Sequence, residues 1–400
     1  MTDWNQFKGD PQHSGRRRDL ETPYRVTERW TADLVGPAGS PVLDRDTVFV
    51  GTAHGNCYAI ERETGRRRWT YETTMGTDAA PIVTREAVYL AVDDGTVHAL
   101  DPATGDPLWN RTLPDGREPA LAMSDERLYI GHSAGVSALE ADTGEPVWSH
   151  ETDDPVVGVP AVDDARERDR RGWGRDSEAE EAVDLLSLGD ARMDEGEGAT
   201  DGDRVYVGVG DGTIRALEAD SGEQLWDVPT DGTVVDGPTV VGDRVYVADD
   251  DGTLLAVHAD GGQSWFTYEI RDAFTTAPTI LPDAGATLVG AVDGYLHVTD
   301  TTFGRRKLRG WLFSKRGVPL DGPVRSSPVV AGDVCCVGDA TGSLYGIDVS
   351  GDAEDCEPLW YVSLEAGVTS TPALADRRLY VPCEDGTLSC LEWEPGRPRP

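Results

Sequence analysis

The chain has 400 residues, of which 38% are hydrophobic, enough for one large domain or two to three ordinary ones. Seventy-three acids face 36 bases for a net charge of −37, and lysine survives only at Lys8, Lys307 and Lys315. Such a surface disfavours nucleic acid and anionic membrane as partners.

The acids run along the whole chain, which fits adaptation to solvent better than an acidic tail. In molar salt the screening length falls to about 3 Å and the self-repulsion fades. Acid-rich, lysine-poor surfaces are typical of cells that hold molar salt inside. No apolar run approaches the roughly 18 residues of a membrane span. The opening MTDWNQFKGDPQHSG has no apolar core, so a cytoplasmic protein is expected. Cys57, Cys335, Cys336, Cys356, Cys383 and Cys390 show neither zinc nor haem-attachment spacing.

Residues 1–23 read as a lead-in segment. Residues 24–393 then carry a unit that recurs about every 40 residues, the range of four-stranded propeller blades. Each unit opens on a proline: Pro41, Pro81, Pro119, Pro160, Pro238, Pro278, Pro328 and Pro372. In the second unit PIVT, AVYLAV, TVHAL and PLWNRTL alternate apolar and β-branched residues, as strands do. Asp94-Gly95 and Thr104-Gly105 mark the turns between them, because glycine accepts positive φ and aspartate bonds back to its own backbone. The acids of VDDGTVHALDPATGDPLW therefore serve turns rather than a single metal.

Two columns follow the chain. Near the end of the third strand stand Ala59, Ala99, Ala138, Ala216, Ala256, Val298, Gly346 and Cys390, mostly small. The fourth strand supplies Trp69, Trp109, Trp148, Trp226, Trp265, Trp311 and Trp360, large rings that small neighbours would admit against the next blade. The eighth unit ends after three strands, and Trp30 in VTERWTADL supplies its fourth. The expected fold is an all-β, eight-bladed propeller closed by an N-terminal strand, with a tail at 394–400.

Two stretches depart from the repeat. Residues 163–203, charged and poor in β-formers, read as a largely disordered insertion in unit four, with a short helix over Glu178–Leu188. The segment TTFGRRKLRGWLFSKRG holds Arg305, Arg306 and Arg309. Together with Arg66, Arg67 and Arg68 and the run at 166–171, these are expected to share the face formed by first and third hairpin loops. Such a face would dock an acidic partner, unless the arginines are spent on neighbouring acids.

VDDGTVHALDPATGDPLW, GVGDGTIRALEADSGEQLW and DATGSLYGIDVSG resemble the PQQ-repeat β-propellers, a family with BamB-like and quinoprotein-like branches. The opening WNQFKGDPQHSG also looks like that family's lead-in. The resemblance implies the fold and leaves two functions open, since the repeat builds only a scaffold. One is a non-catalytic platform for a protein partner, expected as a monomer with no cofactor. The other is a quinoprotein oxidoreductase holding PQQ and calcium. A third reading, small-ligand binding in the central funnel without catalysis, comes from the funnel itself.

For calcium, which takes six to eight oxygens, Asp249, Asp250 and Asp339 are the available acids, and no local sequence supplies a full set. Cys335-Cys336, in the place of the adjacent cysteines many quinoproteins carry, falls within a strand on opposite faces. His98 and His297 occupy the column of Tyr58 and Tyr345 and read as packing residues. No nucleophile elbow, phosphate loop or zinc helix appears, so catalytic residues are not expected.

Overall fold

The computed structural model describes residues 4–163, 202–300, 307–309, 317–351 and 355–395, with 307–309 as backbone alone. Eight mainly antiparallel sheets succeed one another along these residues. Blade 1 runs from its inner edge through Val42–Asp44, Thr47–Gly51, Asn56–Glu61 and Arg67–Glu72. The inner three strands bury their side chains, while the outer strand alternates. Blade 8 joins Ala373–Ala375, Arg378–Pro382 and Thr387–Pro395 to Pro23–Asp33, with Trp30 opposite Cys390. The ring is thus closed within one sheet, and the chain is an eight-bladed β-propeller.

The turns obey the chemistry of their residues. Gly95 takes φ 90° while Asp94 accepts the Thr96 amide at 2.9 Å. Asp101 accepts the amides of Ala103 and Thr104 at 2.8 and 3.0 Å, pinning the next turn.

Between blades, one pattern recurs. The indole nitrogens of Trp30, Trp69, Trp109, Trp148 and Trp226 donate to Arg62, Pro102, Ala141, Ala219 and Ala259 of the following blade. Trp360 reaches Pro23 in the same way. Each ring lies across from a small residue, and at Gly346 a Cβ would come within 2.0 Å of Trp360. The following blade offers a glycine turn under the ring. Gly222 has φ 73°, and a Cβ there would sit 2.4 Å from Trp148.

Arginine strengthens three of these joints. Arg127, Arg204 and Arg378 open second strands and donate to the same Ala219, Ala259 and Arg62 carbonyls that accept the indoles. Their second partners are Asp220, Asp260 and Glu63.

Blades 5, 6 and 7 vary the plan. In blade 5 it is Phe266, not Trp265, that lies opposite Ala256 and is buried. Trp265 instead carries the Arg244 guanidinium 3.7 Å above its ring. Blade 6 has only Val318–Pro319 as fourth strand, and Trp311 lies outside the described residues. Lys307–Arg309 runs parallel to Thr267–Glu269 as a fifth strand of blade 5. In blade 4, Asp163 pairs with Arg204. The intervening 164–201, with the expected helix, lie outside the described residues.

Candidate functional site

The innermost strand of each blade is an edge strand, so its outward amides have no ladder partner. Here the N-terminal residues 4–17 supply the partners. Backbone carbonyls of Trp4, Asn5, Pro11, Gln12 and Gly15 accept the amides of Leu43, Val83, Val162, Val240 and Val330, from blades 1, 2, 4, 5 and 7. In blade 3 the Gln6 side chain acts as a strand would, donating to the Met123 carbonyl at 3.1 Å and accepting its amide at 3.0 Å. In blade 6 the Lys8 ammonium donates to the Pro278 carbonyl at 2.6 Å. Arg16–Arg17 then pairs with Val330–Ala331 as an added strand on blade 7.

Seven blades are thereby tied to one segment on the axis. Phe7 packs against Ala80 and Ala277, with Val159 beside them, residues from blades 2, 6 and 4. The tunnel is filled by the chain itself.

Its filling is chemically unusual. Lys8 is buried, and burial lowers its pKa to about 7 against the pull of Asp236 and Asp10. Burial raises the Asp236 carboxyl despite hydrogen bonds from Ser327 Oγ at 2.9 Å and the Ala277 amide at 3.4 Å. Asp236 also holds φ 57°, a left-handed conformation costly for a residue with a Cβ. His13 Nδ1 lies 2.8 Å from the Pro238 carbonyl. A carbonyl only accepts, so Nδ1 carries the proton and Nε2 is a bare acceptor, buried without a partner. Burial lowers the His13 pKa to about 3.

The acids considered for calcium do other work. Asp249 accepts the Thr253 and Gly232 amides at 2.6 and 3.1 Å. Asp339 accepts Thr341, Ser343 and Gly322 amides at 2.9, 3.1 and 3.1 Å. Each pins an inter-blade connection to a second-hairpin turn. Asp250 is exposed and accepts the Thr233 amide. Among the described residues no three His, Cys, Asp or Glu side chains gather to hold a metal.

Cys57, Cys335, Cys336, Cys383 and Cys390 are free thiols. Cys335 packs in the core between blades 6 and 7, whereas Cys336 packs in the core that joins blades 7, 8 and 1. Burial raises both thiols. His98 Nδ1 is 3.2 Å from the Tyr71 hydroxyl. His297 bridges Tyr268, at 3.1 Å, and Asp293, at 3.2 Å. These imidazoles bridge neighbouring blades.

The arginines are dispersed. Arg66, Arg67 and Arg68 stand at the start of blade 1's outer strand, where Arg67 stacks 4.7 Å over Tyr58 and Arg68 pairs with Asp46 at 2.8 Å. Arg309 belongs to the strand beside blade 5, in register with Glu269 at the far end of that outer strand. Arg305 and Arg306 lie outside the described residues. The described arginines are not brought onto one face.

A family model described as outer membrane protein assembly factor BamB matches residues 26–121, 93–177 and 165–399. The chain belongs to this PQQ-repeat family. BamB from Moraxella catarrhalis superposes with a TM-score of 0.66 at 19% identity, covering 92% of this chain and 100% of that one. The quinohemoprotein alcohol dehydrogenase of Comamonas testosteroni gives 0.69 at 16% identity, covering 100% and 82%. The computationally designed protein Ika8 gives 0.67 at 16% identity, covering 91% and 99%. At these identities the likeness is one of fold. No curated protein matches the sequence.

Sequence reasoning missed the tunnel filling and the arginine joints. The second had a visible signal, because Arg127, Arg204, Arg244 and Arg378 share one column at the start of second strands. The first had only the lead-in motif, since its bonds are largely made by backbone.

Proposed function

We propose that this chain is a non-catalytic interaction scaffold that binds no quinone and works in a salt-rich, reducing cytoplasm. The observation that carries the reading is the axial segment 4–17, bonded to the inner strands of seven blades and packed through Phe7 where a ligand of the central funnel would sit. The acids at its rim support it, being engaged on backbone amides rather than turned toward a common point. Five unpaired buried thiols suit a reducing compartment. Likeness to BamB, an assembly factor by name, agrees with a partner-binding role.

The test is an equilibrium titration of the purified protein with PQQ, with and without calcium. The scaffold reading expects no saturable binding. One-to-one binding at micromolar affinity that disappears when calcium is chelated would establish the oxidoreductase alternative.

A further inference from the structure

We infer that the axial tunnel is a peptide-binding channel and that residues 4–15 are its ligand, held in cis. The inference is independent of what binds outside the ring. The tunnel wall presents a circle of edge amides, at Leu43, Val83, Met123, Val162, Val240 and Val330, one from each of six blades. A circle of donors recognises a turned chain that offers carbonyls at the right positions, and residues 4–15 do so by winding through a short 3-10 turn at Phe7–Gly9 and left-handed backbone at Lys8, Gly9, His13 and Gly15.

Selectivity comes from four side chains. The Gln6 amide satisfies both the amide and the carbonyl of Met123. The Lys8 ammonium and the His13 imidazole each serve one buried carbonyl, at Pro278 and Pro238. Phe7 fills the apolar constriction between Ala80 and Ala277, and His13 stands edge-on to it with centroids 5.0 Å apart. The chemical class is therefore a peptide of about a dozen residues bearing an aromatic plug, an amide, a primary amine and a neutral imidazole in that spacing.

The tether is exposed where it leaves the ring. Arg18 and Asp19 lie on a solvent-facing turn between the added strand Arg16–Arg17 and the outer strand Pro23–Asp33. A site-specific protease sequence placed after Asp19 allows the folded, full-length protein to be cut there. The cut fragment is expected to stay with the ring through gel filtration. A fluorescent synthetic copy of residues 1–19 is expected to replace it one-to-one. Copies carrying Lys8→Ala or His13→Ala should each bind about tenfold more weakly, the effect of one lost buried hydrogen bond, and Gln6→Ala, which loses two, about a hundredfold.

Loss of the fragment with no change in melting temperature, or altered copies that bind as well as the native one, would overturn the assignment. Hydrogen exchange on the uncut Gln6→Ala protein gives an independent reading. The Met123 amide should lose protection by about tenfold or more, because the Gln6 oxygen that accepts it is gone. Unchanged protection there would equally overturn it.

Discussion

Arg204 and Trp226 converge on one carbonyl, and their coupling can be measured. Arg204 is 1% exposed and donates to Ala259 O at 2.9 Å and to Asp260 at 2.7 Å, while Trp226 Nε1 donates to the same Ala259 O at 2.9 Å. Arg204→Met keeps the volume and removes the donors. The charged hydrogen bond is worth about 2 kcal/mol. The ion pair adds little, because the Asp260 side chain is 68% exposed and returns to water. Trp226→Phe removes one neutral bond and part of a ring, about 1–2 kcal/mol.

Either single change leaves Ala259 O one donor, whereas the double change leaves it none in a site where Ala259 is 1% exposed. An orphaned buried carbonyl costs a further ~1–3 kcal/mol. The double variant should therefore lose more than the sum of the singles, read from urea unfolding followed by far-ultraviolet circular dichroism. Additivity within about 0.5 kcal/mol would refute the shared-acceptor account.

Blade 5 tests which ring fills the joint: Phe266→Ala should cost about 3–5 kcal/mol. Trp265→Ala, losing mainly its Arg244 stack, should cost about 1–2 kcal/mol in the same unfolding assay. His13 titrates at about 3 folded and about 6.5 unfolded, so its contribution is complete above pH 6.5 and is lost as pH falls toward 3. The acid-side loss of stability should be shallower in His13→Gln than in the parent. The buried thiols have raised folded pKa values, so their contribution is present below about pH 9 and falls away as pH rises further. The buried Cys57, Cys335, Cys336, Cys383 and Cys390 should be labelled by maleimide only on unfolding.

The architecture was legible because it repeats. Strand alternation, turn glycines and the proline step appear in every unit, and Trp30 completed the eighth by simple counting. The same counting would have placed Phe266. From Ala59 to Trp69, Ala99 to Trp109 and Ala216 to Trp226 the step is constant, and the same step from Ala256 ends on Phe266. Ring size drew attention to Trp265 instead.

The arginine clusters are a different matter. A charge cluster in sequence does not say whether its neighbours neutralise it, as Arg68 with Asp46 illustrates, or which edge its strand joins, as the backbone of Lys307–Arg309 beside blade 5 illustrates. The tunnel filling was hidden because most of its bonds use main-chain atoms, which no side-chain pattern reports.

Closure by the strand Pro23–Asp33 also sets a schedule. Arg29 and Glu392, bonded across that sheet, are 363 residues apart. At about 5–20 residues per second on the ribosome, the first strand waits roughly 20–70 s for its partner to be made. The axial segment waits nearly as long, because its last wall strand follows Pro328. A segment synthesised before all eight blades is thus seated only after most of them. During that interval an aromatic-bearing strand and its lysine lead-in are exposed, and that is the window in which a chaperone or a second nascent chain could reach them.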